Sequence, residues 1–266
     1  MSYVEDATKL AGETSARGQL ARSVRAFFAE RLTRPFFMSP RDVGLFLRSA
    51  RTDRAINRMR RQHGARAAFE AAYSATSDPW GSASLRYGYQ RRKYDHIVAL
   101  LPSRQFRKAL DLGCGLGLLS QRLTARADET LGLDVADAAI KLARAYAKGV
   151  GRLTFAQGDV LDLPHELNGR FDLVVIADTL YYLSPLKNEL LKMLACRVAD
   201  LLAPGGICLI ADHFFFSADI DSRTSRRIHD AFSWSPRFSV VSHHRKPFFL
   251  VTILEKRGLI DAIVNP

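Results

Sequence analysis

A short apolar run at 108–112 ends in Gly113-Cys114-Gly115-Leu116-Gly117 and passes without a spacer into Leu118-Leu119, the apolar opening of a helix. A strand, a glycine turn and a helix in immediate succession restrict the fold more than anything else in the chain. In an open α/β sheet, ligands bind at the carboxyl ends of strands, beside turns of this kind. Glycine there lets backbone approach a ligand where a side chain would block it. The spacing is G-x-G-x-G, whereas the dinucleotide fingerprint G-x-G-x-x-G would need glycine at Leu118. Asp111, ahead of the glycines, places a carboxylate beside the loop, which suits a cationic amino-acid moiety better than a pyrophosphate.

Around this unit, β and α patterns alternate. The periodicity predicts helices over 90–101, 118–126, 137–148 and 187–202, and strands over 108–112, 129–133, 153–157, 171–177 and 206–211. Strands separated by helices of this length indicate a parallel sheet with helices on both faces. The tail differs: 238–243 and 248–255, joined by His244-Arg245-Lys246-Pro247, read as an antiparallel pair at the sheet edge. The expected fold is therefore a Rossmann-like α/β domain with a seven-stranded, mostly parallel sheet and an antiparallel edge pair.

Ahead of it, 16–73 reads as helical, with Leu20, Val24, Phe27 and Phe28, then Val43, Leu45, Phe46 and Leu47, at helical spacing. Pro35 and Pro40 interrupt, and Ser39-Pro40-Arg41-Asp42 reads as a helix start. The run 51–66 is strongly basic, with Ile56 and Met59 its few apolar positions, so it is either a solvated helix or part of a contact surface. The turn-rich Ser77-Asp78-Pro79-Trp80-Gly81-Ser82 marks a boundary. The expected organisation is a basic helical extension over 1–76 and an α/β domain over 77–266.

The chain is basic overall, at +12, and 1–72 carries fourteen Lys/Arg against seven Asp/Glu. Such a surface attracts nucleic acid, anionic lipid or acidic substrates, but no nucleic-acid motif or interleaved aromatics accompany it. The three cysteines, Cys114, Cys196 and Cys208, lie in segments that read as buried, too scattered for a disulfide framework or a zinc site. His243 and His244 are adjacent, so on a strand they point to opposite faces, and no metal site is expected. No apolar stretch reaches the ~18 residues of a membrane span, and Glu5-Asp6 stand where a signal peptide would be basic. A cytoplasmic protein is expected.

Leu131-Gly132-Leu133-Asp134 ends the second strand about 20 residues after the glycine loop, where an acid can accept hydrogen bonds from ribose hydroxyls. Through these residues the chain resembles the class I S-adenosylmethionine-dependent methyltransferases across about 85–255. The matching segments are the loop ending at Gly117, Leu131-Gly132-Leu133-Asp134, Gly158-Asp159-Val160, Phe171-Asp172-Leu173-Val174-Val175 continuing to Tyr182, and Leu202-Ala203-Pro204-Gly205-Gly206. The resemblance implies S-adenosyl-L-methionine as cofactor, held by Asp111, Gly113, Cys114, Gly115, Gly117, Asp134, Val135, Asp159, Val160 and Ala177. A narrower similarity, to nodulation protein S-like methyltransferases, rests on Asp78-Pro79-Trp80 ahead of Tyr89-Gln90-Arg91-Arg92-Lys93-Tyr94 and on Ala177-Asp178-Thr179-Leu180-Tyr181-Tyr182-Leu183. In the resembled enzymes this upstream segment folds over the cofactor, so Tyr89 or Arg92 is expected at the methionine carboxylate, guanidinium pairing well with carboxylate.

A hydroxyl acceptor needs a general base, whereas an amine needs only to lose a proton. Asp178, at the end of the fourth strand, and His213, after the fifth, are the expected orienting or proton-accepting groups, with Tyr181 walling the acceptor pocket. The absence of an Asn/Asp-Pro-Pro-Tyr/Phe run argues against nucleobase amino-methylation. The expected activity is methyl transfer to N or O of a small polar acceptor, such as a sugar. Two other readings stay open: an RNA or protein methyltransferase docking through 1–72, and a non-catalytic cofactor-binding scaffold. The oligomeric state is not legible.

Overall fold

The computed structural model describes residues 42–183, 185–214, 220–246 and 248–258. The helical pattern expected before residue 42 lies outside them. The described chain opens with α1 (Asp42–Ala75) and α2 (Tyr89–Ala99). Then follow β1 (Phe106–Leu112), α3 (Leu118–Leu123), β2 (Ala127–Asp134), α4 (Asp137–Tyr146), β3 (Leu153–Gln157) and β4 (Phe171–Ala177). The last part holds α5 (Asn188–Leu201), β5 (Leu202–Phe214), α6 (Ile220–Ser233), β6 (Phe238–Lys246) and β7 (Phe248–Lys256). The seven strands form one sheet in the order β3-β2-β1-β4-β5-β7-β6. β1 to β5 pair in parallel, and β7 runs antiparallel between β5 and β6.

Strand alternation builds a core on each face. On β4, Val174 and Ile176 point to the face covered by Leu191, Leu194 and Val198 of α5. Leu173 and Val175 point the other way, to Ile97 of α2 and Leu119 of α3. On β1, Leu110 and Leu112 join the first face and Ala109 the second. Asp111, two residues on from Ala109, therefore turns toward α3.

The pattern of strands and helices matches the expected architecture, with four differences. β6 runs on through His244, Arg245 and Lys246, expected as the connection, because they pair with Val251, Leu250 and Phe249 of β7. β5 begins at Leu202 rather than near 206, because Leu202 pairs with Phe171 before a register shift. α6 was not legible in the sequence. It is rich in Ser, Thr and Arg, and Ile228 and Phe232 are its fully buried apolar side chains, too few for a periodic signal. Cys196 is exposed, not buried, because it lies on the outer face of α5 while Leu194, Ala195 and Val198 face the core.

α1 does not stand apart from the α/β domain. Its two halves meet at Gly64, whose φ of 84° and ψ of 167° break the helix. Asp42 is fully buried and its Oδ1 accepts from the N–H of Gly88 and of Tyr89, at 3.0 and 3.2 Å, so α1 supplies the carboxylate that caps α2. Both Glu70 carboxylate oxygens accept from the N–H of Ala138 at 3.2 Å, in the first turn of α4. No helix among the described residues is long and apolar enough to cross a membrane.

Candidate active site

Sheet order reverses about β1, whose two neighbours are β2 and β4, and ligands of such sheets lie beyond the strand ends at that switch point. A cavity of about 630 Å³ occupies that place. Its floor is the carboxyl end of five strands: Leu112–Leu116 after β1, Leu133–Val135 after β2, Gly158–Leu161 after β3, Ala177–Thr179 after β4, and His213 on β5. Its roof is α1, through Leu45, Phe46, Asp53, Asn57, Phe69 and Tyr73.

The glycine loop is fitted to its surroundings rather than merely flexible. Gly113 has φ +75°, and a Cβ there would stand 2.2 Å from Thr179 Oγ1. Gly115 has φ +51°, and a Cβ there would meet the Tyr73 hydroxyl at 2.7 Å. Asp134 holds this loop: Oδ2 accepts from Gly115 N–H at 2.9 Å and Oδ1 from Ala136 N–H at 3.0 Å. Burial pushes its carboxyl up, opposed by these backbone hydrogen bonds. Asp159, at the cavity end below β3, accepts from Leu161 N–H at 2.9 Å.

At the other end, Asp178 sits in the left-handed region, φ 53°, with both oxygens engaged. Lys93 Nζ, almost wholly buried on α2, donates to Oδ2 at 2.5 Å, and His213 N–H donates to Oδ1 at 3.1 Å. The Tyr181 ring meets the His213 imidazole edge-on, centroids 4.3 Å apart, and packs on Tyr182 at 4.4 Å. Burial pushes the Tyr181 phenol well above its usual range, so it is a hydroxyl donor and not a base.

Among the residues singled out in the sequence, Tyr89, Gly113, Cys114, Gly115, Asp134, Val135, Asp159, Val160, Ala177, Asp178, Tyr181 and His213 all line the cavity. Asp111, Gly117 and Arg92 do not. Asp111 is buried beneath the loop, where Ser120 Oγ donates to its Oδ2 at 2.6 Å. That hydrogen bond ties the end of β1 to α3, and burial raises the carboxyl's pKa to about 7. Gly117 makes room for a ring, since a Cβ there would stand 2.5 Å from Phe155. Arg92 is drawn off by the buried Asp42 carboxylate, to which its Nη2 donates at 2.9 Å. The cation that α2 does bring to the cavity is its neighbour, Lys93.

The sequence reading missed the contribution of α1. Asp53 Oδ1 accepts from Tyr182 Oη at 2.6 Å and from Trp80 Nε1 at 2.9 Å, and Phe69 packs against both rings. A single acid in the basic run 51–66 carried no periodic signal, so only the tertiary fold reveals that it points inward.

Comparison with known proteins bears on this geometry. A family model described as a methyltransferase domain matches residues 106–258. The chain belongs to the methyltransferase-domain family. S-adenosylmethionine is accordingly the cofactor of the domain. Its relatives include a ubiquinone biosynthesis O-methyltransferase of Alkalilimnicola ehrlichii, 31% identical over 53% of this chain and 55% of that protein. A trans-aconitate 2-methyltransferase of Deinococcus radiodurans is 31% identical over 62% of this chain and 63% of that one. Nodulation protein S of Rhizobium tropici is 26% identical over 57% and 59%. The chain thus spans little more than half the length of the curated relatives it matches. In fold it is similar to the N-methyltransferase NodS of Bradyrhizobium japonicum, solved with S-adenosyl-L-homocysteine, at 20% identity and a TM-score of 0.59, covering 72% of this chain and 98% of that one.

Proposed function

We propose that the methyltransferase domain moves a methyl group from S-adenosylmethionine to N or O of a small polar acceptor enclosed beneath α1. The observation that carries this reading is the roof: α1 covers the ends of β1, β4 and β5 and lines the same cavity as the glycine loop. A partly roofed cavity of about 630 Å³ suits a small acceptor better than a polymer. The relatives named for trans-aconitate and for ubiquinone biosynthesis favour the same choice.

The residues present fit the cofactor. Gly113 and Gly115 line the cavity with bare backbone, packed closely against Thr179 and the Tyr73 hydroxyl, so no side chain of the loop stands between it and a ligand. Asp134, with two backbone hydrogen bonds already in place, keeps lone pairs for ribose hydroxyls. Asp159 and Val160 close the far end, and Tyr89 and Ala177 the near one. When bound, S-adenosylmethionine supplies a methyl group made electrophilic by a sulfonium. The chain's part is alignment, which supplies much of the lowering of such a barrier. In this reading Asp178, fixed by Lys93 and the His213 N–H, orients the acceptor. The His213 imidazole accepts its proton, and Tyr181 holds that ring by edge contact.

Calorimetry tests the cofactor site. The wild-type protein is expected to bind S-adenosylmethionine, and Asp134→Ala to weaken binding about 10- to 100-fold, as expected for loss of hydrogen bonds to a charged group. Unchanged binding in that variant, or binding of NADH in place of S-adenosylmethionine, would reject the assignment.

A further inference from the structure

Asp53 is a cavity carboxylate that this reading leaves without a task. It lies about a third of the way along α1, inside a helix whose neighbouring Arg51, Arg54 and Arg58 are exposed, Arg54 at the cavity's edge. Its Oδ1 takes both available donors, the Tyr182 hydroxyl and the Trp80 indole N–H. Its Oδ2 accepts no hydrogen bond, and no cation reaches ion-pair distance of it among the described residues. Asp178, by contrast, has Lys93. The charges that Asp53 feels within the cavity are those of His213 and Asp178, which places it toward the ends of β4 and β5 rather than of β2 and β3.

A half-buried carboxylate facing a cavity has its charged form disfavoured until an opposite charge lies beside it. Burial accordingly raises the pKa of Asp53, against the two hydrogen bonds that favour its charged form. The arrangement becomes favourable when a cation arrives from the cavity. The walls beside it suit one: Trp80, Tyr181, Tyr182 and Phe69 line the same space, and aromatic faces attract ammonium groups. Neither hydrogen bond to Oδ1 needs to be broken, because Oδ2 remains to receive an N–H donor.

We infer that Asp53, walled by Trp80, Tyr182 and Phe69, is the acceptor-selecting residue of the site, and that the acceptor is an amine bound as its ammonium. The inference rests on the methyltransferase reading and narrows its N-or-O choice to nitrogen. It also assigns a segment outside the matched family region, residues 106–258, to substrate selection.

The test uses the full chain saturated with S-adenosylhomocysteine, so that added ligands cannot occupy the cofactor site. Benzylamine and benzyl alcohol, alike in shape and different in charge, are titrated by calorimetry into the wild type and Asp53→Asn. The amide can still accept from Tyr182 and Trp80, so the roof is retained. At least tenfold tighter binding of the amine, lost in Asp53→Asn while S-adenosylhomocysteine affinity stays within about threefold, is the expected result. Equal binding of the two probes, binding of neither, or a preference that survives in the variant overturns the inference. Loss of S-adenosylhomocysteine affinity in Asp53→Asn overturns it too, by making Asp53 a cofactor contact. If Asp53→Asn does not fold, the wild-type comparison decides alone. Failure of the wild type to bind S-adenosylhomocysteine at all would instead reject the underlying methyltransferase reading.

Discussion

Gly113 and Asp111 stand two residues apart and show how differently one loop uses its side chains. At Gly113 the backbone is left-handed and a Cβ would overlap the Thr179 side chain at 2.2 Å. Gly113→Ala is therefore expected to cost about 1–3 kcal/mol from backbone strain alone, and more if Thr179 cannot withdraw from its hydrogen bond to Ala177 O at 2.9 Å. Chemical denaturation measures the loss, and S-adenosylmethionine affinity should fall with it. Asp111 works by burial. Its pKa is raised to about 7 from 3.8, with desolvation the main cause and the Ser120 hydroxyl opposing it. A carboxyl with a raised folded-state pKa binds its proton more tightly folded than unfolded. Its cost to stability is absent below about pH 4, grows as pH rises to about 7, and then levels off. Relative to Asp111→Asn, the wild type should therefore lose stability across that window, by an amount on the order of a few kcal/mol. Paired melting curves at pH 4 to 8 measure it, and a constant difference between the two proteins would show that the carboxylate is not carrying the effect.

α1 joins elements that the sequence alone left separate. The Glu70 carboxylate meets the Ala138 N–H at the start of α4, where an acid also complements the helix dipole. Glu70→Ala should cost about 0.5–2 kcal/mol, as expected for loss of an N-terminal capping interaction, read as a lower melting temperature. β4 was legible as a nearly continuous apolar run, since a strand buried on both faces needs no partner to identify it, whereas β3, with only Phe155 buried, was placed by its position after the helical pattern over 137–148. α6 was not, because Ser222, Ser225 and His229 fill buried positions where a pattern search expects apolar residues. At the site, the loop and the strand-end acids are local in sequence and could be listed from it. Arg92 and Lys93 could not be told apart, as their roles depend on Asp42 and Asp178, 50 and 85 residues away. Nor could Asp53, whose partner Tyr182 is 129 residues distant.

For the whole molecule, the question left by its charge is what the arginines are for. Arg51, Arg54, Arg58, Arg61 and Arg66 are exposed on α1, while the same helix turns Asp53, Phe69 and Tyr73 into the cavity. One helix thus presents a largely basic exterior, with Arg54 at the cavity's edge, and turns one carboxylate and two aromatic rings inward. If the basic exterior carried a nucleic acid to the active site, each neutralised phosphate would make binding strongly salt-dependent. Six or more contacts would reduce affinity about 1,000-fold or more between about 50 and 200 mM salt. A small acceptor held inside the cavity is shielded from mobile ions by α1, so its binding escapes most of that screening. Steady-state kcat/KM for a small amine acceptor is therefore expected to change less than about threefold over the same range. A steep fall with salt would reassign α1 from roof to docking arm. The same measurement on Asp53→Asn separates the two surfaces of the helix: the inner acid should set KM for the acceptor, and the outer arginines should leave it unchanged.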